Sequence, residues 1–546
     1  MNRIFSGNIF IKLQSALKHR PLFLFGFLVF MVLVFAAGNL ASPREAGQGP
    51  DEMLHISLHL AMANAIKSGL GNLAAPLAES MRKPHLPYLV SGLFSSIAPA
   101  GFASLLAANY LFLILWLAAV FAVGRQIGGS AVGAVSACAA AALPMTWRLG
   151  EHFGNDMPAA FFVIFILLLC LKYELFAGFW MWAIVGLIGG LGMLTKPTLP
   201  LYVIGALVYL AARSLRQAAL NRKKSKLILT CAGIVAAPVI AAAIWLPWFS
   251  YPVGAIRELF GKISVDAGHA HGFFHSINGE TAPEELIARL GWLGASAVGG
   301  GVIAMAFLWK NEKARILIFA FWPPLIVFTV ITQAFTRMIF PVLAAPVVLG
   351  CAMIGKIRRG GLRNTALIAA AAVAIGVYVY GHRDTRIVFP PGHNTSNPAY
   401  AAEPAIRYIG NRAVSPADLL VVSRCRFQNL PKAYFIMLSA LDIQNIKMAH
   451  LWEETGLFPG LLFHRALPRR LEHVKWIVEC REDAERDAAA IRTSLQEALN
   501  DAYRLDGVNP ETISRPLPAF DYVYRFPTTF SWGAEKFHLH IYERKN

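Results

Sequence analysis

Apolar runs of membrane-spanning length recur along the chain as far as residue 381, and short polar connections separate them. A helix needs about 20 predominantly apolar residues to cross the hydrocarbon core of a bilayer. The eleven runs cover residues 21–37, 99–123, 128–146, 157–175, 177–194, 198–212, 227–247, 290–309, 315–332, 338–355 and 365–381. The pattern predicts a polytopic α-helical membrane protein with about eleven transmembrane helices.

Composition agrees with a membrane protein. Of 546 residues, 56% are hydrophobic and 15% are charged, whereas soluble proteins carry about 25% charged residues. The net charge of +18 comes from cations in the short connections, as membrane topology predicts. No basic stripe with interleaved aromatic residues occurs, so nucleic acid is not expected as a partner. The first run lacks a small-residue cleavage site, which favours a retained helix over a signal peptide.

The cations also predict the orientation of the chain. Clusters such as "RSLRQAALNRKKSKL" (Arg213–Leu227) and "KIRRGGLR" (Lys356–Arg363) fall on alternate connections, which places the N-terminus inside and the tail outside. The tail contains strand-like runs, "DLLVVS", "VKWIVEC" and "FHLHIYE", and a charged helical pattern, "REDAERDAAAIRTSLQEALNDAYRL". We therefore expect a transmembrane domain over residues 1–381 and a soluble extracytoplasmic α/β domain over residues 382–546.

The six cysteines fall into two groups. Four lie within apolar runs, where a cysteine usually acts as a small buried hydrophobic residue: Cys138, Cys170, Cys231 and Cys351. Cys425 and Cys480 lie in the predicted outer domain, where an oxidising environment would allow them to pair. Whether they do so stays open.

The long outer loops, about residues 38–98 and 251–289, contain the first candidate residues. Such long loops are usually functional. Asp51 and Glu52 follow Pro50 just after the first apolar run, and acids in the first turn of a helix are one ordinary explanation. Lys83 stands before a Pro in "ESMRKPHLPYLVSGLF"; a lysine at that depth anchors at the interface or reaches phosphate level.

Further candidates lie at the predicted outer ends of the helices. Asp156, in "NDMPAAFF", is costly at the edge of hydrocarbon unless it is solvated or paired, although helix capping also explains it. Lys196 in "LTKPTLP" and Arg337 in "FTRMIFP" are cations on the side that is poor in cations. Both suit an anionic lipid head group.

The second long loop contains "DAGHAHGFFHS", with His269, His271 and His275. This spacing is compatible with a transition-metal site, with substrate contacts, or with a solvated loop. No cysteine or firm fourth ligand is close in sequence, so the metal requirement is unknown and a divalent metal ion is the one cofactor left open.

These motifs in this order resemble those of the C-type (GT-C) membrane glycosyltransferases, and most closely the protein O-mannosyltransferase and lipid A aminoarabinose transferase group. The resemblance covers roughly residues 20–350 and rests on the ordered set of motifs. The set comprises the acidic pair, the Lys-Pro-x-x-Pro-like segment, Asp-Met-Pro, Leu-Thr-Lys, "IWLPWFSYP" (Ile244–Pro252), and an Arg ahead of a Phe/Tyr-x-x-Pro-like segment.

The resemblance implies transfer of a sugar from a polyprenyl-phosphate carrier to a lipid, glycan or protein acceptor, usually with inversion. By matching position, Asp51 would be the general base with Glu52 beside it, and Asp156 would be a second acid at the site. Lys83, Lys196 and Arg337 would bind the donor phosphate. His85, His269 and His271 are candidate substrate contacts. Arg82 and His85 replace the acid and the Pro that often flank the Lys-Pro of relatives, so a metal ligand at Arg82 is not implied.

General chemistry agrees with these assignments. A carboxylate takes the proton of an acceptor hydroxyl as the glycosidic bond forms, and cations stabilise the leaving phosphate. We expect a bacterial inner (plasma) membrane protein with an extracytoplasmic site. One alternative is a transporter or lipid flippase, although such proteins place ionisable residues near mid-membrane. A non-catalytic assembly protein of the cell envelope is the other.

Overall fold

The computed structural model describes the main apolar helices, a few positions of the first long loop and six strands of the tail. The described residues are 21–41, 59, 62–63, 65–66, 69, 86–97, 102–151, 154–172, 178–220, 224–248, 282–331, 335–383, 417–423, 446–452, 474–481, 520–525, 530–532 and 535–544. The chain divides into two compact units. The first comprises Met1–Ser42, Ser80–Ser91 and Leu106–Pro391, and the second comprises Pro43–Glu79, Gly92–Leu105 and Gly392–Asn546.

Each of the eleven predicted apolar runs overlaps at least one helix. The helices are α1 (Pro21–Ala41), α2 (Leu86–Ile97), α3 (Phe102–Gly128), α4 (Ser130–Ala141), α5 (Pro144–Glu151), α6 (Asp156–Lys172), α7 (Phe179–Met193), α8 (Leu199–Leu220), α9 (Lys224–Trp245), α10 (Ala282–Leu308), α11 (Glu312–Ile331), α12 (Phe335–Gly355) and α13 (Gly360–Arg383).

Five helices in the described part of the chain are long and apolar enough to cross a membrane. They contain the spans Leu106–Gly128, Leu199–Leu220, Lys224–Trp245, Met338–Gly355 and Gly360–Tyr378. The predicted run 128–146 is divided, because α4 ends at Ala141 and α5 begins at Pro144. Proline fits the first turn of a new helix, where its missing N–H group is not needed. The count of eleven crossings therefore stays a prediction.

Glycines let pairs of helices approach to backbone contact. A Cβ atom at Gly301 of α10 would collide with the carbonyl of Pro346 in α12, and one at Gly205 of α8 would collide with the carbonyl of Phe319 in α11. Small residues at crossing points are typical of membrane bundles, where close van der Waals packing replaces the hydrophobic effect between helices.

The cysteines of the bundle follow the prediction with one correction. Cys138, Cys170 and Cys351 are buried in the core, as expected for small apolar side chains. Cys231 is exposed, so the prediction of a buried residue is wrong there. It lies on α9, of whose apolar span only 17% is buried, and an apolar run alone does not distinguish a core-facing position from a lipid-facing one.

In the second unit, helical residues of the first long loop pack on the C-terminal half of α2. His59 and Ser95 are fully buried, and His59 Nε2 lies 3.3 Å from Ser95 Oγ. A Cβ atom at Gly92 would lie 2.8 Å from the Ile66 side chain, so the contact is close. Burial lowers the pKa of His59 from 6.5 to about 3, because desolvation opposes the charged imidazolium.

The tail strands form one mixed sheet, with the order β2-β1-β3-β6-β4 and with β5 paired to β6. The strands are β1 (Ala417–Ser423), β2 (Ile446–Trp452), β3 (Val474–Arg481), β4 (Phe520–Arg525), β5 (Phe530–Trp532) and β6 (Glu535–Arg544). β1 is parallel to β2 and β3, whereas β6 is antiparallel to β3 and β4.

The three strand-like runs of the sequence coincide with β1, β3 and β6. The charged helical pattern of the tail lies outside the described residues, so the α/β class of this domain stays a prediction. Cys425 also lies outside them, and its pairing with Cys480 stays open.

Candidate functional site

Asp156 lies at the beginning of α6, where the chain turns back into the bundle. The N–H of Ala159 donates to the Asn155 carbonyl at 3.0 Å, which starts the helix just before Asp156. A carboxylate in a first turn interacts favourably with the helix dipole. Asp156 is only 3% exposed, however, and a buried carboxylate requires a partner as well as a helix end.

Lys196 lies in a tight turn between α7 and α8. The N–H groups of Thr195 and Lys196 both donate to the Gly192 carbonyl, at 2.9 and 3.1 Å, and Thr195 Oγ1 donates to the same oxygen at 2.6 Å. The Leu199 N–H then donates to the Lys196 carbonyl at 3.0 Å, at the start of α8. Backbone bonds on both sides therefore hold Lys196 in place.

Asp156 and Lys196 form a largely buried ion pair. Lys196 Nζ donates to Asp156 Oδ1 at 2.6 Å; the Lys196 side chain is 13% exposed and the Asp156 side chain is 4% exposed. The same Nζ lies 3.6 Å from Sδ of Met338. An ion pair withdrawn from water is stable only when the geometry satisfies both charges, and the short contact meets this requirement.

Tyr202 connects the beginning of α8 to the beginning of α12. Its hydroxyl donates to the Met338 carbonyl at 2.8 Å and lies beside the side chains of Lys196 and Thr198. Its ring packs against Phe328 of α11, with centroids 5.6 Å apart. Tyr202 is fully buried, so this bond sets the position of α12 next to the ion pair.

The start of α2 reaches the same turn. The Leu86 N–H donates to the Leu194 carbonyl at 3.1 Å, two residues before Lys196. Leu86 and Leu194 also pack against Trp245 at the end of α9, within the "IWLPWFSYP" motif. Four separated motifs of the sequence thus converge at one end of the bundle: the segment after Lys-Pro, Asp-Met-Pro, Leu-Thr-Lys and the start of Leu-Pro-Trp.

Of the residues predicted from the sequence, the structure brings Asp156 and Lys196 into direct contact. The Arg337 backbone lies in the first turn of α12, directly before Met338, while its side chain lies outside the described part of the chain. The remaining predicted site residues also lie outside it: Asp51, Glu52, Lys83, His85, His269 and His271. No group of three or more His, Cys, Asp or Glu side chains suited to a metal ion occurs among the residues that the structure describes.

Sequence reasoning missed two contributors to this cluster. Tyr202 looks like an ordinary aromatic residue near a membrane boundary, and Met338 looks like a core residue. The signal that existed was position, since Tyr202 lies six residues after Lys196 and Met338 directly follows Arg337. The hydrogen bond between them joins a side chain to a backbone carbonyl, which no side-chain pattern reveals.

Comparison with known proteins concerns the fold of the chain. The family model of dolichyl-phosphate-mannose-protein mannosyltransferases matches residues 82–245, which include Asp156, Lys196 and Trp245. Sequence comparison with curated proteins finds no match. Among solved structures, the chain is similar to ArnT from Cupriavidus metallidurans bound to undecaprenyl phosphate, with 14% identity, a TM-score of 0.58, and coverage of 95% of this chain and 97% of ArnT.

The apo form of the same enzyme is also similar, with 13% identity, a TM-score of 0.56, and coverage of 94% of this chain and 97% of the other. At this identity the likeness concerns the fold. It confirms the resemblance indicated by the ordered motifs, because the fold is that of the C-type membrane glycosyltransferases. With its apolar helices, the chain is an integral membrane protein of this fold.

Proposed function

We propose that this protein transfers a sugar from a polyprenyl-phosphate carrier to a lipid, glycan or protein acceptor on the extracytoplasmic side of a bacterial plasma membrane. The observation that carries the proposal is the ion pair of Asp156 and Lys196 at the end of an apolar bundle of the C-type fold. ArnT in the similar structure binds undecaprenyl phosphate, and an ammonium at the membrane boundary suits the same chemical class of ligand.

Lys196 is the proposed phosphate ligand of the described cluster. Its ammonium, which donates to Asp156 Oδ1, is the cation of the cluster, and a charged ammonium is a suitable donor to a phosphate oxygen. Asp156 orients the ammonium through this hydrogen bond. When the phosphate binds, it joins this network and adds negative charge next to Lys196. Asp156 thus acts as the second acid of the site by holding a cation.

Lys83 and Arg337 are proposed to complete the cationic pocket. Lys83 lies three residues before Leu86, a chain length of at most about 11 Å, and the Leu86 N–H is bonded two residues from Lys196. Arg337 directly precedes Met338, whose sulfur lies 3.6 Å from Lys196 Nζ. Cations gathered around a leaving phosphate stabilise the negative charge that develops as the bond to the sugar breaks.

Asp51 is the proposed general base, with Glu52 beside it. Its carboxylate takes the proton from the acceptor hydroxyl while that oxygen forms a bond to the anomeric carbon. In the same step the bond from the anomeric carbon to the phosphate oxygen breaks, and the polyprenyl phosphate leaves with both bonding electrons. A single displacement of this kind inverts the anomeric centre and needs no covalent sugar–enzyme intermediate. His85, His269 and His271 are proposed contacts to sugar or acceptor hydroxyl groups.

Mass analysis of extracytoplasmic glycolipids and glycoproteins, from cells with and without the gene, tests this function. We expect one glycosylated species to disappear without the gene and to return when the wild-type chain is supplied. Asp51→Ala and Lys196→Met should not restore it, whereas Arg216→Gln, a change of an exposed arginine on α8, should restore it. If the Asp51→Ala variant and the Lys196→Met variant each restored the product, the proposal would be contradicted.

The transporter alternative receives less support from the structure. Transporters place ionisable residues near the bilayer midplane, whereas the buried Asp156 lies at the beginning of α6 and its partner Lys196 lies in the turn before α8. A transporter would move its substrate across the membrane without changing it. Unaltered masses of all glycolipids and glycoproteins, together with a defect in lipid or solute translocation, would favour that alternative over sugar transfer.

A further inference from the structure

A second charged cluster lies between α8 and α11, far from Lys196. Tyr202 of α8 faces Phe328 of α11, and Arg213 faces Glu312, so the two helices run antiparallel. Arg213 follows Leu199, at the start of α8, by 14 residues, or about 21 Å along the helix axis. The cluster therefore occupies the end of the helix pair opposite to the candidate active site.

Two guanidinium groups share one carboxylate in this cluster. Arg213 Nη2 lies 2.5 Å from Glu312 Oε2, and Arg315 Nη2 lies 3.9 Å from Glu312 Oε1. The pair of arginines thus carries one positive charge more than its single acid neutralises. The Arg213 side chain is 17% exposed and the Arg315 side chain is 30% exposed, so both side chains are partly accessible from outside the bundle.

The hydrogen-bonding groups of the arginines are also incompletely satisfied. Arg213 Nη1 and Arg315 Nε are shielded from solvent and have no hydrogen-bond partner among the described residues. A shielded donor without an acceptor costs free energy, and that cost is recovered when a guanidinium turns toward an acceptor such as a phosphate. Arginine suits phosphate because its planar fork of donors matches the oxygen geometry.

Aromatic residues next to the arginines mark the depth of the lipid head groups. The Arg315 guanidinium lies over the ring of Tyr209, 5.8 Å from its centroid. Tyr209 stacks on Phe319 at 4.9 Å, and Trp309 packs against Phe319 at 5.7 Å. Trp309 is 49% exposed. Exposed tryptophan and tyrosine beside apolar helix surface are typical of the membrane–water interface.

We propose that Arg213 and Arg315 bind the head-group phosphate of an anionic phospholipid. The phospholipid source is favoured over free phosphate because Phe307 and Ile303, 68% and 62% exposed, lie one helical turn apart on α10 and give it an exposed apolar face close in sequence to Trp309. Acyl chains cover such a face while the phosphate remains at the level of the arginines. Anionic lipid attracts cationic segments at the membrane surface, and the excess charge of this cluster complements it.

The test compares thermal unfolding of the full chain in nanodiscs of phosphatidylcholine alone with nanodiscs that also contain phosphatidylglycerol. We expect phosphatidylglycerol to raise the unfolding midpoint of the wild type by at least about 2 °C, because a ligand of the folded state stabilises it. Arg213→Gln and Arg315→Gln should lose most of this increase. Arg216→Gln removes the same charge from an exposed position on the same helix and should retain it.

The comparison between lipids remains informative if a variant is less stable in both. Native mass spectrometry of phosphatidylglycerol retained by each variant provides a second measurement, and Arg213→Lys, which keeps the charge, should retain an intermediate amount. An equal phosphatidylglycerol shift in Arg213→Gln and the wild type would overturn the proposal. So would a shift of the same size from inorganic phosphate in phosphatidylcholine nanodiscs, since the ligand would then not be a lipid.

Discussion

Replacing Asp156 by Asn tests whether the buried ion pair is as important as its geometry implies. The change leaves the Lys196 ammonium, with its side chain 13% exposed, without its carboxylate. Breaking a buried pair by removing one partner costs about 3–5 kcal/mol. Because Lys196 retains some exposure, we expect a loss of about 3 kcal/mol, at the lower end of this range.

Glu312→Gln provides the matched control in the same protein. Glu312 pairs with Arg213 at a similarly short distance, but its side chain is 53% exposed. Exposed ion pairs contribute about 0–1 kcal/mol, so the control should lose no more than about 1 kcal/mol. The cations left behind are similarly shielded, at 13% exposed for Lys196 and 17% for Arg213, so the two variants differ chiefly in the burial of the carboxylate, 4% exposed in Asp156 and 53% in Glu312.

The assay is equilibrium unfolding in mixed micelles, followed for the wild type, for the single variants Asp156→Asn, Lys196→Met and Glu312→Gln, and for the double variant Asp156→Asn/Lys196→Met. The double variant removes both charges and leaves no uncompensated ammonium, so it should be more stable than Asp156→Asn alone. Equal losses for Asp156→Asn and Glu312→Gln would refute the reasoning. A double variant whose loss equals the sum of the losses of Asp156→Asn and Lys196→Met would also refute it.

Three further predictions concern other parts of the molecule. Tyr202→Phe removes the hydrogen bond to the Met338 carbonyl and should lower the free energy of unfolding by about 1–3 kcal/mol, whereas the control Tyr209→Phe should lower it less. The same unfolding assay compares the two variants. Equal losses would contradict the structural importance of the bond between Tyr202 and Met338. Gly301→Ala should lower the unfolding midpoint because its Cβ collides with the neighbouring helix backbone, and an unchanged midpoint would be evidence against that contact. His59 has a folded pKa of about 3 against an ordinary 6.5, so its neutral form stabilises the fold above pH 6.5. The free energy of unfolding should therefore fall by up to about 1.4 kcal/mol per pH unit as the pH drops from 6.5 towards 3. The variant His59→Gln should show a smaller dependence of unfolding free energy on pH across this range. An unchanged pH dependence in that variant would show that His59 does not cause it.

The positions of the helices could be predicted from hydropathy, but their ends could not. The run predicted for α8 stopped at residue 212, whereas the helix continues to Leu220. Polar residues such as Arg213 and Arg216 still favour helical backbone, and hydropathy detects only where apolar character stops. The division between α4 and α5 depends on Pro144, whose effect on the backbone is local and is hidden within an apolar run.

The candidate site could likewise be predicted only in part from the sequence. Asp156 and Lys196 could be selected from the sequence because each is an ionisable residue at the edge of an apolar run. Their mutual contact could not be predicted, because 40 residues separate them and the packing of α6 against α8 brings them together. The contribution of Tyr202 to the site depends on its hydrogen bond to the Met338 carbonyl. That carbonyl is within reach because α12 begins next to the antiparallel pair of α8 and α11.

In the tail, strand positions followed from alternating and β-branched residues, whereas the sheet order did not. β6 is the last strand in sequence yet lies between β3 and β4, and its register with β3, such as Val478 opposite Ile541, joins residues far apart in the chain. Pairing of this kind is decided by tertiary contacts, to which local propensity is insensitive.

Binding of undecaprenyl phosphate to the purified protein tests the central claim most directly. The dissociation constant should be measured in neutral detergent for the wild type, for Lys196→Met and for the exposed control Arg216→Gln. We predict saturable binding by the wild type and by Arg216→Gln, and at least a tenfold weakening in Lys196→Met, equivalent to about 1.4 kcal/mol. Equal affinities of the wild type and Lys196→Met, or no saturable binding by the wild type, would contradict the account.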